Sequence, residues 1–108
     1  MKTDDLTGED LDLWTIRAIK ANGTPKLVEL LKRCARAKVA VQPSTVAAQA
    51  EYVITHAGLE CRQIGEQWWA YASMLGGTVE ASGPTFGIAA MRAFVKATIG
   101  DAVPPAGP

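Results

Sequence analysis

The sequence predicts an α+β fold: three to four helices packed on a small antiparallel sheet of two or three strands, in the order α-α-α-β-β-β-α. Three observations carry this reading. Residues 84–99 place Gly87, Ile88, Met91, Phe94, Val95 and Ile99 on one side at helical spacing, an apolar stripe that must be buried. Residues 59–74 alternate instead, around a Gly65-Glu66 turn, as the arms of a hairpin do. Ahead of them lie three segments that each begin with helix-start chemistry: Leu6-Thr7-Gly8, Thr24-Pro25 and Ser44-Thr45.

A chain of 108 residues, 48% of them apolar, can bury one modest core. The expected organisation is a single domain over residues 1–100 and a mobile Pro/Ala/Gly-rich tail over residues 101–108. Eleven basic side chains balance eleven acidic ones, which removes the easiest argument for nucleic-acid or membrane binding. No apolar run approaches the roughly 20 residues a bilayer requires. Met1 to Asp5 lacks the apolar region of a signal peptide, so a cytoplasmic location is expected. Cys34 and Cys61 fit no metal or redox spacing and read as reduced thiols.

In the first segment Thr7 is placed to cap a helix, and Leu6 and Leu11 to staple it. That helix runs to about Ala21, burying Leu11, Trp14, Ala18 and Ile19, and Asn22-Gly23 ends it. Thr24 and Pro25 then read as cap and first residue of a second helix. Its wheel is sharply divided, with Leu27, Val28, Leu30, Leu31, Cys34 and Ala35 opposite Lys26, Glu29, Lys32, Arg33 and Arg36. The basic segment 26–38 is either a surface for phosphates or an acidic partner, or a solvated face balanced by the acidic N-terminus.

Val39 to Pro43 reads as extended, a candidate short edge strand. Ser44 or Thr45 starts a third helix that ends at Ala57, with Gly58 in the left-handed position and Leu59 packing back on Ile54. His56, in its last turn, suits the negative end of the helix dipole. In the hairpin, Gly65 at the first central position suits a type II′ turn, pairing Ile64 with Gln67, Gln63 with Trp68, Arg62 with Trp69 and Glu60 with Tyr71. One face then carries Leu59, Cys61, Trp68, Ala70, Ala72 and Met74, the other Glu60, Arg62, Gln67, Trp69, Tyr71 and Ser73. Thr78 to Ala81 adds a third short strand. Pro84 is expected at the first position of the final helix, capped by Gly83 or Ser82, and Gly87 on its buried side implies close approach of another backbone.

Taken in order, Lys2-Thr3, Leu6-Thr7-Gly8, Leu11-Asp12, Ser44-Thr45, Ala48-Gln49, Gly58, Gly65-Glu66 with Trp68, Gly83-Pro84-Thr85, Ile88-Ala89-Ala90-Met91-Arg92, Gly100-Asp101 and Val103 give the chain a resemblance to a known group. It resembles the NinX-like family of small proteins from lambdoid and related phages and prophages. The family has an acid and a Trp after its Ser-Thr pair and then a Gly-Gly-Pro turn; here Val46-Ala47 and Ala50-Glu51-Tyr52 stand there, which implies a longer helix. The resemblance implies a phage or prophage accessory protein in the host cytoplasm, and no enzymatic mechanism.

The residues themselves supply no catalytic arrangement: there is one histidine, no nucleophile motif, no phosphate-binding glycine loop and no four-ligand metal set. No enzyme activity, cofactor or metal is therefore expected. Three surfaces remain. Arg62, Trp69 and Tyr71 form either a partner-binding aromatic–Arg surface or merely local Arg–indole packing, unless the basic helix covers them. Ser82, Gly83 and Thr85 at the start of the last helix could receive an anion. Lys26, Lys32, Arg33 and Arg36 could contact nucleic acid. The first functional reading is an interaction protein that binds a host or phage protein through the exposed sheet face or dimerises by it. The alternative is a weak nucleic-acid-binding module. Its order of elements from Ser44 onward is similar to that of double-stranded-RNA-binding domains, but the turn Pro84-Thr85-Phe86-Gly87 lacks their lysine cluster.

Overall fold

A computed structural model of the chain describes residues 1–22, 24–74 and 77–103. A short 3-10 turn, Thr3–Asp5, leads into α1 (Gly8–Asn22), α2 (Pro25–Ala37) and α3 (Ala47–Ala57). Strands β1 (Glu60–Ile64), β2 (Gln67–Met74) and β3 (Gly77–Gly83) follow, and α4 (Phe86–Thr98) completes the fold. The three strands form one antiparallel sheet in the order β1-β2-β3. The fold is α+β, with the expected order of elements.

The helices stack in layers behind the sheet. α4 packs across one sheet face, and α1 and α3 pack on the far side of α4, with α2 against α3 and α1. This position follows from composition, because a helix that is apolar or small-sided nearly all round must be covered nearly all round. In α4, Gly87, Ala89, Ala90, Met91, Ala93, Phe94 and Val95 are all buried. α2 instead buries only Leu27, Leu30 and Cys34 and turns its charges outward. The residues expected to face the core from α1, namely Leu11, Trp14, Ala18 and Ile19, all do so.

Two glycines set how closely α4 fits. A Cβ on Gly87 would lie 2.8 Å from the Ser44 carbonyl oxygen and 3.0 Å from that of Pro43, so the helix abuts the backbone of the α2–α3 loop as its position on the stripe implied. A Cβ on Gly83 would lie 2.8 Å from Ile88 Cγ2. Arg92 extends from α4 to tie two other parts of the chain together: its Nε donates to the Leu6 carbonyl at 2.9 Å and an Nη to that of Ser82 at 2.8 Å.

Several expected boundaries move. α4 is capped by Thr85, whose hydroxyl accepts from the Ile88 N–H at 3.2 Å, so Pro84 precedes the cap instead of opening the helix. Ser82 and Gly83 are the last residues of β3, which is longer than the expected 78–81. The physical reason is that proline pushes the residue before it towards extended geometry, which prolongs the strand. α3 begins at Ala47, not at Ser44 or Thr45. The Ser44 N–H is drawn away to the buried carboxylate of Asp12 on α1 at 2.9 Å, and Thr45 and Val46 form a turn on the Gln42 carbonyl.

Residues 39–43 join no sheet. The side chain of Gln49 stands in for a neighbouring strand, accepting from the Gln42 N–H at 2.6 Å and donating to the Ala40 carbonyl at 2.9 Å. Residues 101–103, expected in a mobile tail, are instead held against the N-terminus. Asp101 accepts from the Thr3 N–H at 2.9 Å, Ala102 bridges Lys2, and the buried Val103 exchanges hydrogen bonds with Met1. The rest of that expected tail, residues 104–108, lies outside the described residues, as do Gly23, Leu75 and Gly76.

Candidate interaction surface

The β1–β2 hairpin follows the register its turn chemistry implied. Gly65 has φ +63°, Glu66 keeps a negative φ, and Arg62 pairs with Trp69, Glu60 with Tyr71 and Gln63 with Trp68. A positive φ at the first central residue only is the type II′ signature. Adjacent positions therefore separate cleanly. Trp68 faces α4, its ring 5.8 Å from that of Phe86 in an edge-on contact, with Ala70, Ala72 and Ala81 buried beside it. Trp69 points to the opposite face.

Pairing with β3 completes that outer face as cross-strand rows. One row is Arg62–Trp69–Ser82; the next is Glu60–Tyr71–Glu80. Ile64 and Gln67 form a row at the turn end, Ser73 and Thr78 one at the other end. Trp69 and Tyr71 are half-buried, while Arg62, Glu60 and Glu80 are exposed, as is Ile64 at 58%. No helix packs across this face among the described residues, so the basic helix does not cover it. A shallow groove of about 230 Å³ lies between Glu60, Arg62 and Tyr71. The Arg–ring stacks among the described residues lie elsewhere, Arg17 over Trp14 and Arg33 over Tyr52. The structure thus brings Arg62, Trp69 and Tyr71 together. It adds Glu80 and Ser82, whose side of the sheet is set by the β2–β3 register that pairs them with Tyr71 and Trp69.

The expected anion residues are not brought together. Ser82 lies in the outer row, Gly83 is closed off by Ile88, and the Thr85 hydroxyl is committed to capping. The space beside Thr85 is a cavity of about 300 Å³ whose wall includes Pro43, Ala47, Ala50, Phe86 and Ile88, a mostly apolar lining with no cationic side chain to hold an anion.

On α2, Lys26, Lys32, Arg33 and Arg36 are exposed on one side, yet the face is partly neutralised. Arg36 donates to Glu29 at 2.8 Å and Arg33 lies 3.7 Å from the same oxygen. The Arg36 hydrogen bond holds the Glu29 carboxyl below its ordinary value. The Tyr52 hydroxyl donates to the Lys26 carbonyl at 2.5 Å, and the Tyr52 ring also meets that of His56 at 4.3 Å. Among the described residues no group of three His, Cys, Asp or Glu side chains converges as a metal site does, and no helix is long and apolar enough to cross a membrane. Cys34 is a buried free thiol; Cys61, also free, is half-buried, and burial pushes its thiol up from the ordinary value.

No protein-family model matches the chain, and no curated protein matches it significantly.

Proposed function

We propose that this chain is a phage- or prophage-derived accessory protein without catalytic activity that works in the host cytoplasm by binding another protein through the outer face of its sheet. The observation that carries this reading is the composition of that face. Two aromatic side chains and an arginine occupy adjacent rows of a hydrogen-bonded sheet with no helix of the described residues across them. Aromatic residues and arginine dominate binding energy at protein interfaces, and a hydrogen-bonded sheet presents them with little ordering cost. The phage origin is supported by the sequence resemblance, above all Gly83-Pro84-Thr85 followed by Ile88 to Arg92.

The test compares two neighbouring tryptophans. Trp69→Ala is expected to abolish capture of protein partners while the melting temperature moves little, whereas Trp68→Ala is expected to destabilise the domain. Equal destabilisation by both, with capture unchanged, would end the reading.

The exposed cations of α2 support a second reading, weak and salt-sensitive association with nucleic acid. Electrophoretic titration at rising salt decides its rank. Submicromolar binding at physiological salt that is lost in a Lys32→Glu, Arg33→Glu double variant would put it first.

A further inference from the structure

The outer sheet face carries three charged side chains arranged with alternating sign. Glu60 and Glu80 flank Tyr71 in one row, and Arg62 stands beside Trp69 in the next. Among the described residues none of the three is in an ion pair; the pairs that form involve Glu29, Arg33, Arg36, Lys96 and Asp4. Such a face is complementary to itself in only one sense of rotation.

Two copies stacked sheet on sheet can be related by a two-fold axis along the strands or across them, since a closed dimer places the same patch on both sides. An axis along the strands sets each row on the same row of the other copy. Glu60 then faces Glu80 of the second copy, twice, which is repulsive. An axis across the strands, centred on either row, sets Arg62 on Arg62 or Glu60 on Glu60. Moved half a step, between the two rows, it brings Arg62 over Glu60, Trp69 over Tyr71, and Ser82 over Glu80 of the second copy, each contact made twice. Every acid then meets a donor, and the aromatic rings meet across the centre, where ring pairs add to the affinity. Strands stay aligned in this arrangement, the usual geometry for stacked sheets.

We propose that the partner on this face is a second copy of the chain, docked sheet on sheet about a two-fold axis that crosses the strands between the Arg62 row and the Glu60 row. The proposal rests on the reading of this face as an interaction surface and names its occupant. Strands about 4.8 Å apart and rows about 7 Å apart make the patch roughly 15 by 25 Å. An interface of that size falls in the class below about 1,200 Å² of total buried surface, which gives weak, concentration-dependent dimers.

Analytical ultracentrifugation from micromolar to millimolar concentration tests it. The wild-type chain is expected to shift from monomer towards dimer across that range. Arg62→Glu alone and Glu60→Arg alone each convert two attractions into two repulsions, and each is expected to weaken self-association by about tenfold or more. An equimolar mixture of the two variants restores both pairs across the interface, one copy supplying two acids and the other two arginines. The mixture is therefore expected to dimerise when neither component does, a result that misfolding of either variant cannot produce. A wild-type chain that stays monomeric up to millimolar concentration, single variants that dimerise like wild type, or a mixture that stays monomeric would each overturn the second-copy proposal. If the wild type is monomeric and Trp69→Ala still abolishes capture of another protein, the interaction surface stands without the dimer. If Trp69→Ala destabilises the fold as Trp68→Ala does, the surface reading falls with it.

Discussion

The two faces of the sheet distribute bulk in opposite ways. Towards α4 the sheet offers Ala70, Ala72 and Ala81, with glycine at 83, and the helix answers with Ala89, Ala90 and Ala93. Away from it stand Trp69, Tyr71, Arg62, Glu60 and Glu80. Small side chains on facing surfaces let helix and sheet approach closely, and dense packing then comes from backbone proximity as well as from large residues. The consequence is a seam between sheet and helix lined by alanine, while the large buried side chains, Leu11, Ile19, Leu27 and Met91 among them, come mostly from the helices. On the sheet, side-chain size is therefore a poor guide to burial, and face is a good one.

The inner face should be sensitive and the outer face tolerant. Met91→Ala, on the fully buried side of α4, is expected to destabilise by about 2–5 kcal/mol in denaturant titration. A loss below half a kcal/mol would break the assignment of α4 as the central layer. Gly83→Ala, which must push Ile88 away, is expected to cost about 1–3 kcal/mol although it adds a single carbon. A stabilising result would show that the sheet and helix have room to separate. Removing the cap with Thr85→Ala is expected to cost about 1 kcal/mol, and Thr85→Ser little of it. On the outer face Trp69→Ala should cost about 1 kcal/mol or slightly more, about half of what full burial of a large apolar side chain gains.

The smallest expected effect is on pH dependence. Burial raises the Cys61 thiol, so between the ordinary thiol pKa and the raised one the folded chain holds a proton that the unfolded chain has lost. Stability should be flat below the ordinary thiol range and decline as pH rises through it. Cys61→Ala should remove that decline, as chemical denaturation on both sides of that range would reveal.

The hairpin was legible because its instructions are local. Gly65 selects the turn, the turn selects the register, and alternation then assigns Trp68 and Trp69 to opposite faces. The stripe on α4 was legible for a similar reason except at Ile99, which lies past the last turn of the helix and is exposed, and Gly87 showed where another backbone comes close. What was not legible depends on partners distant in sequence. α3 starts only at Ala47 because the chain first turns at Thr45 and Val46 onto the Gln42 carbonyl, while Asp12, 32 residues before Ser44, holds the Ser44 N–H in place. Val39 to Pro43 looks like a strand, and Gln49 gives it strand-like hydrogen bonds without a sheet. Pro84 satisfies either a first helical position or the residue before a cap, and only the Thr85 hydroxyl decides between them. On the candidate site, Arg62, Trp69 and Tyr71 follow from the hairpin alone, whereas Glu80 and Ser82 join them through the β2–β3 pairing, which the β1–β2 turn does not set.

The place of α4 also bears on how the chain is made. Synthesis delivers α1, α2, α3 and then the three strands before the helix that the first and third helices and the whole sheet pack against. Until residues 86–98 emerge, the alanine face of the sheet and the inner sides of α1 and α3 have no shared surface to close on. Folding of this domain on the ribosome is thus postponed until α4 has emerged, and a ribosome that stalls before α4 holds a polypeptide whose apolar faces are available to chaperones or to aggregation.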